Sequence, residues 1–133
     1  MTVELSTSKL HDVAHMGMRA TIGVIFIVHG FGKFGNPGFG GWISSMGIPA
    51  EMQIPIALAE FIPGIFLIFG IFTRISSSLL SIVMLGAIFL VKGASSLTGE
   101  GGYELDLILL AACLVIIVSG PGRISISHII KKI

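Results

Sequence analysis

The sequence predicts an all-α integral membrane protein: a four-helix bundle with a short interfacial helix between its first and second spans. Three observations lead there. The chain has 133 residues, 53% of them hydrophobic and only 11% charged, whereas a soluble domain usually carries about 25% charge. It lacks the charged side chains to cover its own surface, and a bilayer removes that requirement. Four apolar runs follow one another, divided by Gly-, Pro- or Ser-rich connections. The 18 glycines suit close helix contacts in lipid, although several mark turns. The length fits one domain over residues 1–133.

Span 1 is expected from Met16 to Phe34, with its apolar core at Ala20 to Val28. Arg19 and Lys33 flank that core about 21 Å apart along a helix, so each can snorkel to a headgroup layer. Residues 35–51 form a Gly/Pro-rich connection. Within it Phe39, Trp42, Ile43 and Met46 fall at i, i+3, i+4 and i+7, one face of a short helix. Trp42 suits a membrane interface. This helix reads as an interfacial element or a lid packed on the bundle; gating of a substrate is a further reading with nothing in the sequence behind it.

Span 2 runs from Gln53 to Phe72 and contains Glu60 and Pro63. A proline there removes one donor, which lipid-embedded helices tolerate when neighbours satisfy the freed carbonyl. Gly70, Thr73 and Arg74 lead into a very short turn. Span 3 runs from Ser76 to Val91, ending at Lys92, and its serines can return hydrogen bonds to helix carbonyls. Residues 93–103 make the second connection. Span 4 runs from Glu104 to Ser119 and stops at Gly120-Pro121-Gly122. Spans 3 and 4 are short for a hydrocarbon core about 30 Å thick. The tail, Arg123 to Ile133, is too short and polar to cross and reads as an interface-lying segment.

With both termini inside, the inner side carries Lys9, Arg19, Arg74, Arg123, Lys131 and Lys132, and the outer side only Lys33 and Lys92. The positive-inside bias therefore places both termini in the cytoplasm and requires an even number of spans. No cleavable signal peptide is expected, because the first apolar core leads into His29-Gly30-Phe31-Gly32-Lys33 rather than a small-x-small site. Scattered basic residues without interleaved aromatics argue against nucleic acid. Cys113 sits alone in an apolar run, where packing is the simplest role. No dinucleotide fingerprint, phosphate loop, Cys-x-x-Cys or haem-attachment motif is present. His11 and His15, four residues apart beside Asp12, lie in a polar N-terminal stretch, and no metal site is expected there.

Polar residues inside spans need partners or water. His29 lies about 8 Å below the outer end of span 1, and Glu60 about 10 Å below the outer end of span 2. Lys33 shares a helical face with His29. Lys92, Tyr103, Glu104 and Asp106 gather near the same outer level. A buried carboxylate needs a donor or counter-charge, and Glu60 paired with His29, Lys33 or Lys92 is the simplest arrangement. His29 and Glu60 are the candidate proton-handling pair. Lys33, Lys92, Tyr103 and Glu104 join them as candidate ligand-binding residues. A polar network that only locks helix register fits the same residues. Lys33 and Lys92 also read as interface anchors, Tyr103 as an aromatic-belt residue, and Glu104 as a cap at the positive end of span 4. Glu104 and Asp106 face different directions, and Glu104 is the one expected to point inward. Arg19, Arg74 and Arg123 stand at span ends, where they suit lipid phosphates or a partner's carboxylates.

The order of these landmarks resembles the DoxX family of small four-span membrane proteins. The matching residues are Arg19, Gly23, His29-Gly30 with Lys33, Gly47-Ile48-Pro49, Ala59-Glu60 with Gly64, Gly70-Ile71-Phe72-Thr73-Arg74, and Gly120-Pro121-Gly122-Arg123 followed by Ser125. They cover roughly Arg19 to Ser127. Members of the family resemble the small subunit of thiosulfate:quinone oxidoreductase, and some relatives take part in membrane redox assemblies. The resemblance draws attention to His29, Lys33, Glu60, Arg74 and Arg123. The family often places an aspartate after its last serine, where this chain has Ser127.

The favoured reading is a redox accessory or quinone-associated subunit of a membrane oxidoreductase, with quinone as the expected cofactor and membrane lipid and other subunits, or further copies of the chain, as partners. The chain is not expected to catalyse alone, since it shows no evident electron-carrying centre. A structural or assembly subunit is the second reading, through its glycine-rich faces. A small-solute carrier using Glu60 is the third; it lacks a convincing inverted repeat.

Overall fold

The structure, a computed structural model, describes residues 2–91, 97–98 and 102–130. Among these there is no strand. Helix α1 spans Thr2–Lys33, α2 Pro37–Ser44, α3 Gln53–Phe69, α4 Thr73–Gly86, α5 Glu104–Ser119 and α6 Ile126–Ile130; a 3₁₀ turn at Ala50–Met52 leads into α3, and a π-turn at Ala87–Val91 ends α4. Three stretches among the described residues are long and apolar enough to cross a membrane, Lys9–Lys33, Ala50–Phe69 and Thr73–Leu90. Helix α5 has 16 residues and rises roughly 24 Å, short of the hydrocarbon thickness, as the sequence leads one to expect.

Local chemistry sets the boundaries. Helix α1 begins well before Met16, because the polar N-terminal stretch continues the same helix instead of preceding it. Asn36 caps α2: its side-chain oxygen accepts from the Gly38 N–H at 3.0 Å, and Pro37 opens the helix. Helix α3 stops at Phe69, three residues earlier than expected. Gly70 takes a left-handed φ of 72°, and both its N–H and that of Ile71 donate to the Phe66 carbonyl. Phe72 is also left-handed, at φ 47°, which costs a side-chain-bearing residue about 1 kcal/mol. Helix α4 then starts at Thr73, ahead of the expected Ser76. Ser78 and Ser81 donate to the carbonyls of Arg74 and Ser77, at 2.7 and 2.8 Å, as the serine pattern suggests. The tail forms the short α6, with Ser125 accepting from the His128 N–H. Residues 131–133 lie outside the described residues.

Helices α1 and α3 run antiparallel in close contact at two glycine positions. A Cβ on Gly23 would stand 2.6 Å from the Gly64 carbonyl oxygen, and one on Gly30 would stand 2.7 Å from that of Ala57. These positions fix the register of the pair. Helix α4 packs on α3 and on α5. Ile22, Phe26, Leu67, Leu80, Met84, Leu109, Cys113 and Ile116 make the core. The outer faces carry exposed Ile82, Phe89, Leu90, Ile108 and Val118, a surface suited to lipid.

At the end opposite α2, Arg19 departs from its expected place at the lipid headgroups. It is only 2% exposed. Its Nε donates to Leu67 O at 2.6 Å, Nη2 to Ile124 O at 2.9 Å, and Nη1 to Pro121 O. The guanidinium thus caps the C-terminal carbonyls of α3 and ties down the segment after α5. Arg74 does the same for α5, its Nε donating to Ile117 O at 3.1 Å. Arg123 is exposed. Ser127 joins this latch through its backbone N–H, which donates to Gly70 O at 3.1 Å.

Candidate functional site

At the α2 end, α1, α2, α3 and the last turns of α4 enclose a cavity of about 490 Å³. Its walls are apolar: Phe39, Trp42 and Ile43 from α2, Met52, Pro55 and Ile56 around the start of α3, and Val83, Ala87 and Leu90 from α4. Among the described residues, the two charged groups on its lining are Lys33 and Glu60. Apolar walls with a few convergent polar groups are the usual form of a small-molecule site.

The geometry of these two charges follows from helix direction. Side chains lean toward the N-terminus of their own helix. In an antiparallel pair, Lys33 at the end of α1 leans down into the bundle and Glu60 in α3 leans up toward it. They meet in a two-oxygen ion pair, Lys33 Nζ lying 2.5 Å from Oε1 and 2.6 Å from Oε2. Glu60 is 2% exposed and Lys33 25%. The ammonium also stands 5.6 Å from the centre of the Phe39 ring, within reach of a cation–π attraction. Gln53 holds the corner, its Nε2 donating to Lys33 O at 2.8 Å and Asn36 O at 2.6 Å. Phe39 and Trp42 pack at 5.9 Å between ring centres, and Phe34 meets Phe61 edge-on at 5.7 Å. Helix α4 widens into its π-turn where Ala87 and Leu90 line the cavity. Such turns recur at functional sites because they displace one residue from the regular ladder.

Of the three cations offered to Glu60 by the sequence, Lys33 is its partner here. No hydrogen bond among the described residues joins His29 to Glu60; His29 is half-buried on α1 and is not part of the cavity lining. Lys92 lies outside the described residues. Tyr103 precedes α5 and is half-buried, while Glu104 is exposed, and neither is on this cavity's lining. The inward expectation for Glu104 is corrected: Asp106 is the buried acid. Asp106, Leu109, Cys113 and Ile116 form the buried face of α5, and Glu104, two residues before Asp106, points about 200° away. Sequence reading missed Gln53 as a polar tie and treated the α2 face as an interface or lid, with gating as an unsupported further reading, and not as a cavity wall. Ile43 is buried, whereas Trp42 is 48% exposed, so the indole borders both the cavity and the surroundings.

Residues 14–93 match the DoxX family, a range that includes every described residue on the cavity's lining. The chain is 31% identical over 126 residues to the Bacillus subtilis protein named "Putative oxidoreductase CatD", covering 94% of this chain and 92% of that one. It is 29% identical over 130 residues to "Inner membrane protein YqjF" of Escherichia coli, covering 93% and 97%. No solved structure gives a significant match.

Proposed function

The chain belongs to the DoxX family of membrane proteins, and on that premise we propose that it is a quinone-associated subunit of a membrane oxidoreductase. The observation that carries this reading is the Lys33–Glu60 pair set in the wall of an otherwise apolar, aromatic-lined cavity. The oxidoreductase name of the Bacillus subtilis relative supports the same class of chemistry.

The residues present fit a quinone ring. Phe39, Trp42 and Ile43 offer flat and branched apolar walls that exclude water. Lys33 Nζ has three donors; two meet Glu60, which leaves one for a ligand oxygen. Glu60 keeps the ammonium in place and neutralises it, so the pair offers a strong donor without a net charge of its own. Gln53 fixes the end of α1 and with it the height of Lys33. A bound quinone supplies two-electron, two-proton chemistry, and the electrons come from a partner subunit.

In this reading both termini face the cytoplasm and the cavity opens in the outer half of the bilayer. Arg19 is consumed inside the bundle, yet Lys9, Arg74, Arg123, Lys131 and Lys132 still outnumber Lys33 and Lys92, and Lys33 is neutralised by Glu60.

The test is purification of the full chain from native membrane in mild detergent, with mass spectrometry of co-purifying quinones and proteins. Bound quinone that disappears in Lys33→Met, with the chain still folded, is expected. A quinone-free complex with stoichiometric foreign subunits would favour an assembly role.

A further inference from the structure

Pro55 and Ala59 also border a second hollow of about 460 Å³ between α3 and α4. Leu58 and Ile62 form one rim of this groove and Ile75 and Leu79 the other, all of them exposed, while Pro63 and Ser76 are buried at its floor. Among the described residues, no charged side chain lines it. From Pro55 to Phe66 it follows α3 for roughly 16 Å. Its far end is bounded by Phe66 and Phe72, whose rings meet edge-on at 5.6 Å. Phe72 occupies that place at φ 47°, where glycine would relieve the strain. A strained aromatic residue held at a groove end points to a use for its ring.

We propose that this groove holds the hydrocarbon tail of the molecule whose headgroup binds in the Lys33–Glu60 cavity. The inference rests on the quinone reading above and makes the ligand an alkyl- or isoprenyl-tailed benzoquinone. Two neighbouring compartments that share Pro55 and Ala59, one carrying an ammonium and a carboxylate and the other with no charged side chain among its described lining residues, match the two ends of such an amphiphile. The exposed rims make the groove open along its side, so a tail enters from the bilayer without passing through water. A tail leaving lipid gains no hydrophobic free energy. It gains contacts with the groove wall and a fixed path, so the expected gain in affinity is modest, about tenfold in Kd.

The experiment uses the full chain in phosphatidylcholine nanodiscs. Trp42 is the one tryptophan in the sequence and lines the cavity, so its quenching reports headgroup binding. Titrations compare a methyl-substituted benzoquinone with the same ring carrying a decyl chain, each expressed as mole fraction in the bilayer. The decyl compound is expected to bind about tenfold more tightly. The groove-filling variants Ile62→Phe and Leu79→Phe, at two exposed rim positions, should abolish that advantage and leave the affinity of the tailless ring unchanged. Equal binding of the two quinones overturns the proposal while leaving the headgroup reading intact. So does an advantage that persists in both variants. If the variants instead lose only a co-purifying phospholipid, the groove belongs to a bilayer acyl chain and the proposal fails. Absence of saturable quenching by either quinone overturns this inference and the quinone reading together.

Discussion

Lys33 and Glu60 stand 27 residues apart in sequence and meet through both carboxylate oxygens, at 2.5 and 2.6 Å. The contact ties the end of α1 to the middle of α3 and places the charge at the wall of the cavity rather than at the membrane surface. An ammonium used only as an interface anchor would point the other way, toward the headgroups. The acid is almost fully buried and the lysine a quarter exposed, so the two partners are not equivalent in what their loss exposes.

Lys33→Met strands the Glu60 carboxylate in an apolar wall, and a loss of about 2 kcal/mol is expected, below the usual range for a fully buried pair because Lys33 is partly solvated. The double variant Lys33→Met/Glu60→Leu removes both charges and should recover most of that stability while remaining unable to bind quinone. Thermal unfolding in detergent, run beside a quinone-binding measurement, checks both halves. A double variant no more stable than the single one would remove the ion pair from the account of stability.

Gly23→Ala tests the α1–α3 crossing. The added Cβ meets the Gly64 carbonyl oxygen at 2.6 Å and Ile68 Cγ1 at 2.8 Å. A backbone oxygen cannot rotate aside, so about 1–3 kcal/mol of destabilisation is expected. Gly32→Ala is the control, because nothing lies within 4 Å of its Cβ. There the better helix propensity of alanine should stabilise by up to about 1 kcal/mol. Opposite signs for two identical substitutions in one helix, read by thermal unfolding, are the expected result.

The helical class and the four apolar runs were legible because lipid-facing helices need apolar residues along their whole length. Span 4 was legible to the residue, since Tyr103-Glu104 and Gly120-Pro121 punctuate it on both sides. The end of α3 was not: Gly70 stops the helix, but apolar Ile71 and Phe72 after it continue the run. Facing was harder still. Helix α5 is apolar all round, so no stripe in the sequence distinguishes Glu104 from Asp106. The depth estimates brought His29, not Lys33, to the level of Glu60, and finding Lys33 as the partner required the lean of side chains in an antiparallel pair. Arg19 was misplaced because a flanking arginine in lipid usually snorkels, whereas this one finds the free carbonyls of α3 and of the segment after α5.

Arg19→Lys should release the C-terminal segment. A single ammonium cannot span Leu67 O, Ile124 O and Pro121 O, which the guanidinium fork reaches together. Loss of at least about 3 kcal/mol is expected from hydrogen bonds to a buried charge. Hydrogen exchange at the Ser127 amide, which donates to Gly70 O, reports the latch directly. Exchange unchanged from the wild type would show that α6 is held by something else.

The last prediction concerns orientation. The three long apolar helices and the shorter α5 return the chain to its starting side if α5 crosses, so Lys9 and Ser127 should share a compartment and Thr98 should face the other. Helix α5 rises only roughly 24 Å, and crossing then requires the bilayer to thin or the flanking residues to reach outward. The buried face made by Asp106, Leu109, Cys113 and Ile116 runs nearly its whole length, which is what a helix packed in parallel with its neighbours needs. Single cysteines at residues 9, 98 and 127, placed in a Cys113→Ser background, decide the matter. A membrane-impermeant maleimide applied to intact cells should label Thr98→Cys at once, and should label Lys9→Cys and Ser127→Cys only after permeabilisation. Labelling of Ser127→Cys in intact cells, with Lys9→Cys protected, would mean an odd number of crossings and would remove α5 from the spanning set.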